Sequence, residues 1–330
     1  MENKIRGLHH VTAIASDPQR NLDFYVGLLG LRFVKRTVNF DDPGMYHFYF
    51  GDRRGTPGTI LTFFPWPGAQ RGIRGTGQIE ATAFAIPPDS IGYWRERLKQ
   101  HYVTAERTST RFGEEVIRSI DPDGLLIELI DVAADAPATP KPGEGGSPAN
   151  IEPWPDSPVP AEHAIHGFHS VSAALEGYER TARLLTESFG YRLVDESGNR
   201  FRFASPDESA PGRIIDLLCQ PDAAMGRVAA GSVHHIAFRT KDEAEQLQWR
   251  KHLVDLGYNV TPVIDRTYFH SIYFREPGGV LFEIATEPPG FTSDEKVEEL
   301  GTHLRLPPWM ESARQQIEEI LPPIRVPTKS

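Results

Sequence analysis

The sequence predicts an α+β fold of four βαβββ modules, paired into two domains and followed by a C-terminal helical tail. Three observations predict it. One layout occurs four times along the 330 residues, a glycine follows the helical stretch in three copies, and two copies close on nearly the same strand. In each copy an alternating strand leads into a helical stretch, a turn and two or three further strands.

Module one runs from Leu8 to Trp66, opening on Leu8-His9-His10-Val11-Thr12 and turning at Leu29-Gly30-Leu31. Module two runs from Ile79 to Val132, opening on Ala81-Thr82-Ala83-Phe84, with His101 near the place of the expected glycine. Module three, from His166 to Gln220, opens on Gly167-Phe168-His169-Ser170-Val171 and turns at Phe189-Gly190-Tyr191. Module four, from Val233 to Thr286, opens on His234-His235-Ile236-Ala237-Phe238 and turns at Leu256-Gly257-Tyr258. Glycine after a helix suits a left-handed C-terminal cap, which a side chain with a Cβ adopts only at a cost. Asp121-Pro-Asp-Gly-Leu-Leu-Ile-Glu128 of module two matches Glu276-Pro-Gly-Gly-Val-Leu-Phe-Glu283 of module four. Each reads as a Pro/Gly turn feeding a last strand whose alternation aims the glutamate at a concave sheet face.

The expected division is an N-terminal two-module domain over residues 1–136, a Pro-rich linker over 137–160, a C-terminal two-module domain over 161–290 and a tail over 291–330. The linker is rich in Pro, Gly and Ala, a composition that does not bury a core. In the tail, Pro307-Pro308 and Pro322-Pro323 bracket an expected helix from Trp309 to Ile320.

Composition narrows the function. A formal net charge of −10 argues against nucleic acid and against an anionic membrane surface, both of which need clustered Lys and Arg. The sequence has no apolar run long enough to span a bilayer and no apolar signal segment near Met1, and Cys219 is the single cysteine. A cytoplasmic protein is expected, with a homodimer as the base-rate oligomer.

Repeats keep what folding needs and diverge where function differs. Aligning the opening strands sets His10 opposite Ala81, Ser170 and His235, so modules one and four alone carry a metal-capable side chain there. His169 falls one residue earlier, opposite His9 and His234, and neighbouring strand residues face opposite ways. Aligning the closing strands sets Glu128 opposite Glu283, but module two offers Ala81 in place of a histidine; Glu128 is expected to be a salt-bridged or edge-exposed relic. His10, His235 and Glu283 make a 2-His-1-carboxylate set, the pattern of Fe(II) oxygenases, although Mn(II), Ni(II) and Zn(II) accept the same donors. Buried and ionised without a partner, Glu283 would cost several kcal/mol.

Several motifs carry a resemblance. The fourfold organisation resembles the vicinal oxygen chelate superfamily of glyoxalases, extradiol dioxygenases and drug-binding resistance proteins. Arg32-Phe-Val-Lys-Arg-Thr-Val, Tyr46-His-Phe-Tyr-Phe-Gly, Gly55-Thr-Pro-Gly-Thr, Phe63-Phe-Pro, Tyr268-Phe-His-Ser-Ile-Tyr-Phe-Arg and Leu306-Pro-Pro-Trp, with both His-His strands, resemble its hydroquinone-cleaving branch. That resemblance implies a non-haem Fe(II) dioxygenase, Mn(II) being the other candidate metal, acting on an aromatic diol with O2. It places the metal on His10, His235 and Glu283, gives catalytic roles to Arg266 and Tyr273, sets His9 and His234 beside the ligands, and implies that modules one and four share a cleft. Two rivals share the fold. One is a glyoxalase-like isomerase or thiol transferase, which commonly takes a fourth protein ligand; the stretch from Leu61 to Phe64 offers only Thr62. The other is a non-catalytic protein that sequesters an aromatic compound.

Overall fold

The computed structural model describes residues 4–106, 109–132 and 151–327. Module one forms β1 (Leu8–Ala15), α1 (Pro18–Leu22), β2 (Arg32–Asn39), β3 (Asp42–Gly51) and β4 (Ile60–Pro65). Module two forms β5 (Gln78–Ile86), α2 (Ile91–Gln100), β6 (Ser109–Arg111), β7 (Glu114–Ile120) and β8 (Leu126–Asp131). Module three forms β9 (Phe168–Leu175), α3 (Glu179–Arg183), β10 (Arg192–Ser197), β11 (Arg200–Ala204) and β12 (Ile214–Cys219). Module four forms β13 (Ser232–Thr240), α4 (Glu243–Asp255), β14 (Ile264–Asp265), β15 (Phe269–Arg275) and β16 (Leu281–Pro289).

These strands make two eight-stranded sheets, in the orders β14-β15-β16-β13-β1-β4-β3-β2 and β10-β11-β12-β9-β5-β8-β7-β6. Module four therefore joins module one, and module three joins module two. In each sheet the two opening strands meet antiparallel, β1 with β13 and β5 with β9. Within each module the opening and closing strands are parallel. Sheet pairing thus runs across the chain-order division at residues 137–160: each sheet takes one module from either half. The physical reason is edge satisfaction, because the opening strand of a module leaves an unpaired backbone edge that a second opening strand closes.

Strand alternation decides what faces where. Val11, Ala13, Ile236, Phe238, Ile272, Phe274, Phe282 and Ile284 enter the main hydrophobic core, to which all four modules contribute. His10, Thr12, His235, Ser271, Tyr273 and Glu283 alternate with them and point to the opposite, concave face. The expected glycine caps are present, with φ of 71° at Gly30, 80° at Gly190 and 88° at Gly257. Any side chain at Gly30 would also strike Ser157 and Val159. In module two Tyr102, beside His101, adopts the left-handed conformation instead, with φ of 57°.

Residues 137–150 of the expected linker lie outside the described residues. Residues 151–160 do more than connect: Ser157 and Val159 are buried, and Ser157 Oγ donates to the Gly30 carbonyl at 2.8 Å. The expected tail helix is present in two parts, a 3₁₀ turn over Pro308–Ala313 and α5 (Arg314–Ile320). Further up the tail, Phe291 and Leu300 join Val34, Tyr49, Ile60, Tyr268 and Phe269 in a second apolar cluster. Lys35, buried on β2, holds this segment through Glu295 and through Asp294 at 2.7 Å. Among the described residues no helix is long and apolar enough to cross a membrane.

Candidate metal centre and its cavity

His10 lies on β1, His235 on β13 and Glu283 on β16, three adjacent strands of one sheet. One ligand atom from each lies within 4.8 Å of the others. His10 Nε2 and His235 Nε2 are 3.3 Å apart, and they stand 3.3 and 2.8 Å from Glu283 Oε2. All three residues are buried.

The chemistry of these donors fits a divalent metal ion. His10 Nδ1 is 2.9 Å from His9 Nδ1, and His235 Nδ1 is 2.8 Å from His234 Nδ1, so the ligand rings are oriented from behind. A ring whose Nδ1–H donates to its neighbour turns a bare Nε2 lone pair to the centre, the usual arrangement of a metal-binding histidine. Ser271 Oγ donates to Glu283 Oε1 at 2.5 Å, while Oε2 accepts no well-aligned hydrogen bond. Two imidazole nitrogens and one orphaned carboxylate oxygen thus converge on one point. Burial alone would raise the Glu283 carboxyl, yet His10 and His235 hold it well below the usual carboxylate range. Burial, opposed by Glu283, lowers His235 and favours the neutral imidazole that a metal needs.

The centre opens on a cavity of about 280 Å³ lined by His10, His235, Thr12, His47, Tyr49, Arg266 and Tyr273 among others. Tyr273 pairs with Glu283 across β15 and β16, and its ring centroid is 5.5 Å from that of His235. Arg266 Nε donates to Tyr273 Oη at 3.3 Å, and its other arm reaches Asp41 Oδ2 of module one at 3.2 Å. Burial raises the Tyr273 phenol, so it stays protonated. His234 lines the cavity wall, where burial and His235 lower it to about 4. His9 is buried behind His10 against Phe269, at 5.1 Å between ring centroids, and is not among the cavity-lining residues.

The pair formed by modules two and three presents the same strand positions with other contents. Glu128 takes the place of Glu283, and Arg111 grips it through two hydrogen bonds of 2.7 and 2.6 Å, with Arg118 at 3.1 Å. Asp216 takes the corresponding place on β12 and is held by Arg200 and Arg202, both at 2.9 Å. His169 Nδ1 meets Ser170 Oγ at 3.0 Å, the same contact that His9 and His234 make with the ligand histidines. Here guanidinium groups provide the positive charge.

Sequence reasoning missed His47, Tyr49 and Asp41. His47 and Tyr49 share one face of β3, and both sit in the quoted motif Tyr46-His-Phe-Tyr-Phe-Gly. Aligning the third strands of modules one and four, as was done for the opening and closing strands, would have set Tyr49 opposite Tyr273.

A double-module architecture with this three-donor centre defines a class, and the comparisons name it. The model of the Glyoxalase/Bleomycin resistance protein/Dioxygenase superfamily matches residues 7–129 and 167–284, and the chain belongs to that superfamily. It is 44% identical over 326 residues to the "Putative ring-cleaving dioxygenase MhqO" of Bacillus subtilis (strain 168), covering 99% of both chains. It is 34% identical over 325 residues to the "Chlorohydroquinone/hydroquinone 1,2-dioxygenase" of Sphingobium indicum, covering 96% of each. A crystal structure of a "putative dioxygenase" from Bacillus subtilis superposes with a TM-score of 0.89 at 43% identity, covering 99% of both chains. Glyoxalase I from Zea mays shares the fold, with a TM-score of 0.61 at 15% identity, covering 85% of this chain and 92% of that one.

Proposed function

We propose that this protein is a non-haem Fe(II) dioxygenase that cleaves the ring of hydroquinone-type aromatic diols. The observation that carries the reading is the convergence of His10 Nε2, His235 Nε2 and Glu283 Oε2 beside a cavity rich in aromatic walls. Two neutral imidazoles and one carboxylate leave a divalent ion a single net positive charge and three open positions. Fe(II) held there would supply electron transfer between ring and O2. A carbon–carbon bond next to a hydroxylated carbon breaks, and both atoms of O2 enter the open-chain product.

The chain's own residues orient the diol and manage its protons. Arg266 donates to the Tyr273 oxygen, so the phenol keeps its own hydrogen to give. Tyr273 would donate that hydrogen to oxygen as negative charge grows there, and the guanidinium would stabilise the same charge. His9 and His234 would fix the ligand rings. Phe64 and Phe269 wall the cavity.

The glyoxalase-like alternative is disfavoured by Thr62. It occupies the register position on β4 that Glu283 occupies on β16, and its hydroxyl is committed to Thr12 and His47. The test is O2 uptake by anaerobically purified, Fe(II)-loaded protein given hydroquinones and catechols, with an absorbance scan for ring-opened product. Uptake of one O2 per diol, lost on chelation, supports the proposal. Stoichiometric metal with no uptake on any diphenol overturns it.

A further inference from the structure

The module-one wall of the cavity carries polar side chains that the metal ligands, Arg266 and Tyr273 do not account for. Tyr49 pairs with Thr62 across β3 and β4 as Tyr273 pairs with Glu283 across β15 and β16. His47, two residues before Tyr49, stands where Ser271 stands before Tyr273. Ser271 supports Glu283; His47 Nε2 lies 2.9 Å from Thr62 Oγ1. Module one keeps the framework of module four and replaces its ligand with a hydroxyl.

These groups form an unbroken series. Tyr49 Oη is 3.0 Å from His47 Nδ1, His47 Nε2 is 2.9 Å from Thr62 Oγ1, and Thr62 Oγ1 is 2.9 Å from Thr12 Oγ1. The rings are packed in place, His47 between Tyr49 and Phe64 at centroid distances of 4.2 and 4.4 Å. Burial favours a neutral imidazole, in which one nitrogen accepts while the other donates, so the series has a direction. A phenol is a better donor than an aliphatic hydroxyl. The favoured direction therefore has Tyr49 donate to Nδ1, Nε2–H donate to Thr62, and Thr62 donate to Thr12. Thr12 keeps its own hydrogen, and no other hydrogen bond engages its hydroxyl among the described residues. It lines the cavity on the same strand face as His10, two residues and about 7 Å along β1.

We propose that Tyr49, His47 and Thr62 are positioning residues that aim the Thr12 hydroxyl, as a fixed donor, at the substrate oxygen farther from the metal. The proposal rests on the ring-cleaving reading and deepens it, since it explains how the cavity would select a diol over a monophenol. Binding a diol fills the open donor; binding phenol leaves it unpaired.

The experiment is anaerobic titration of Fe(II)-loaded protein, its iron content measured first, with hydroquinone and with phenol. The parent is compared with Thr12→Val, Thr12→Ser, Tyr49→Phe and the double variant Thr12→Val/Tyr49→Phe. Thr12→Val is expected to weaken hydroquinone binding by up to about tenfold, the worth of one hydrogen bond, and to leave phenol binding unchanged. Thr12→Ser restores the diol preference. Tyr49→Phe shifts it in the same direction by a smaller factor, and the double variant binds no more weakly than Thr12→Val. Equal losses for both ligands, or additive losses in the double variant, overturn the proposal. A parent that binds hydroquinone while every variant matches it overturns this proposal alone. A parent that holds iron and binds neither ligand overturns the ring-cleaving reading as well.

Discussion

Arg266 and Tyr273 are joined directly, the guanidinium Nε donating to the phenol oxygen at 3.3 Å. The same arginine reaches across the module boundary to Asp41. Module four thus supplies the proposed proton donor, and Asp41 of module one reaches the arginine beside it.

Tyr273→Phe is expected to keep its iron and lose turnover by about a hundredfold, the lower range for a positioned proton donor. Iron content and steady-state kinetics on one preparation check this. Unchanged kcat would remove Tyr273 from the mechanism.

Asp41→Ala is expected to do little. Asp41 has a side chain 76% exposed, and pairs of that kind contribute about 1 kcal/mol or less. A few-fold rise in KM at most is expected, whereas Arg266→Met lowers kcat strongly. Comparable losses in the two variants would mean that the rim pair, rather than the link to Tyr273, gives Arg266 its importance.

His235→Ala is expected to lose bound iron and O2 uptake together, because the two protein ligands that remain do not fix the ion. Elemental analysis beside oxygen electrode traces decides it. Retained iron with full turnover would sink the assignment of the centre.

Arg111→Met removes the two-point grip on Glu128, whose side chain is fully buried, and leaves that carboxylate with Arg118. Breaking a buried pair costs about 3–5 kcal/mol. The expected result is a markedly lower unfolding midpoint with normal iron content, since the metal centre lies in the other sheet. A variant as stable as its parent would show that Arg118 suffices.

Asp121 gives a pH signature. Burial, with Asp123 nearby, raises its carboxyl from 3.8 to about 6. The folded chain therefore binds this proton more tightly than the unfolded chain, so the contribution to stability is full below 3.8 and is lost as pH rises through about 6. Asp121→Asn keeps an oxygen for the amides of Asp123 and Leu125 and does not ionise. Relative to its parent the variant should gain up to about 3 kcal/mol between about pH 4 and pH 7, as read by denaturant unfolding. Parallel pH profiles would contradict this.

Much of the centre was legible because one chain contains four versions of it. His10 and His235 stood out against Ala81 and Ser170, and Glu283 against its copy Glu128. Sheet pairing was less legible from chain order. The hydrogen bonds joining β1 to β13 leave no local mark, because strand patterning reports which face is buried and says little about which edge is shared. Tyr49 and His47 were overlooked for another reason: tyrosine and histidine on a strand between phenylalanines look like core aromatics until the strand beside them is known. The outward reach of Arg266 to Asp41 depends on two turns whose approach no local pattern encodes.

The partnership of β1 with β13 has a consequence in time. His10 and His235 are separated by 225 positions, yet their strands are neighbours. During synthesis the first βαβββ unit emerges with one sheet edge open and waits for most of the chain before its partner strand exists. The second and third units can close on each other earlier, their carboxylates already paired with arginine. Assembly can therefore finish one half-barrel before the other, and the half with the candidate metal centre is the one that needs the last units made. Capture of a metal by the proposed centre would then fall to the end of folding, once the chain has returned to its own beginning.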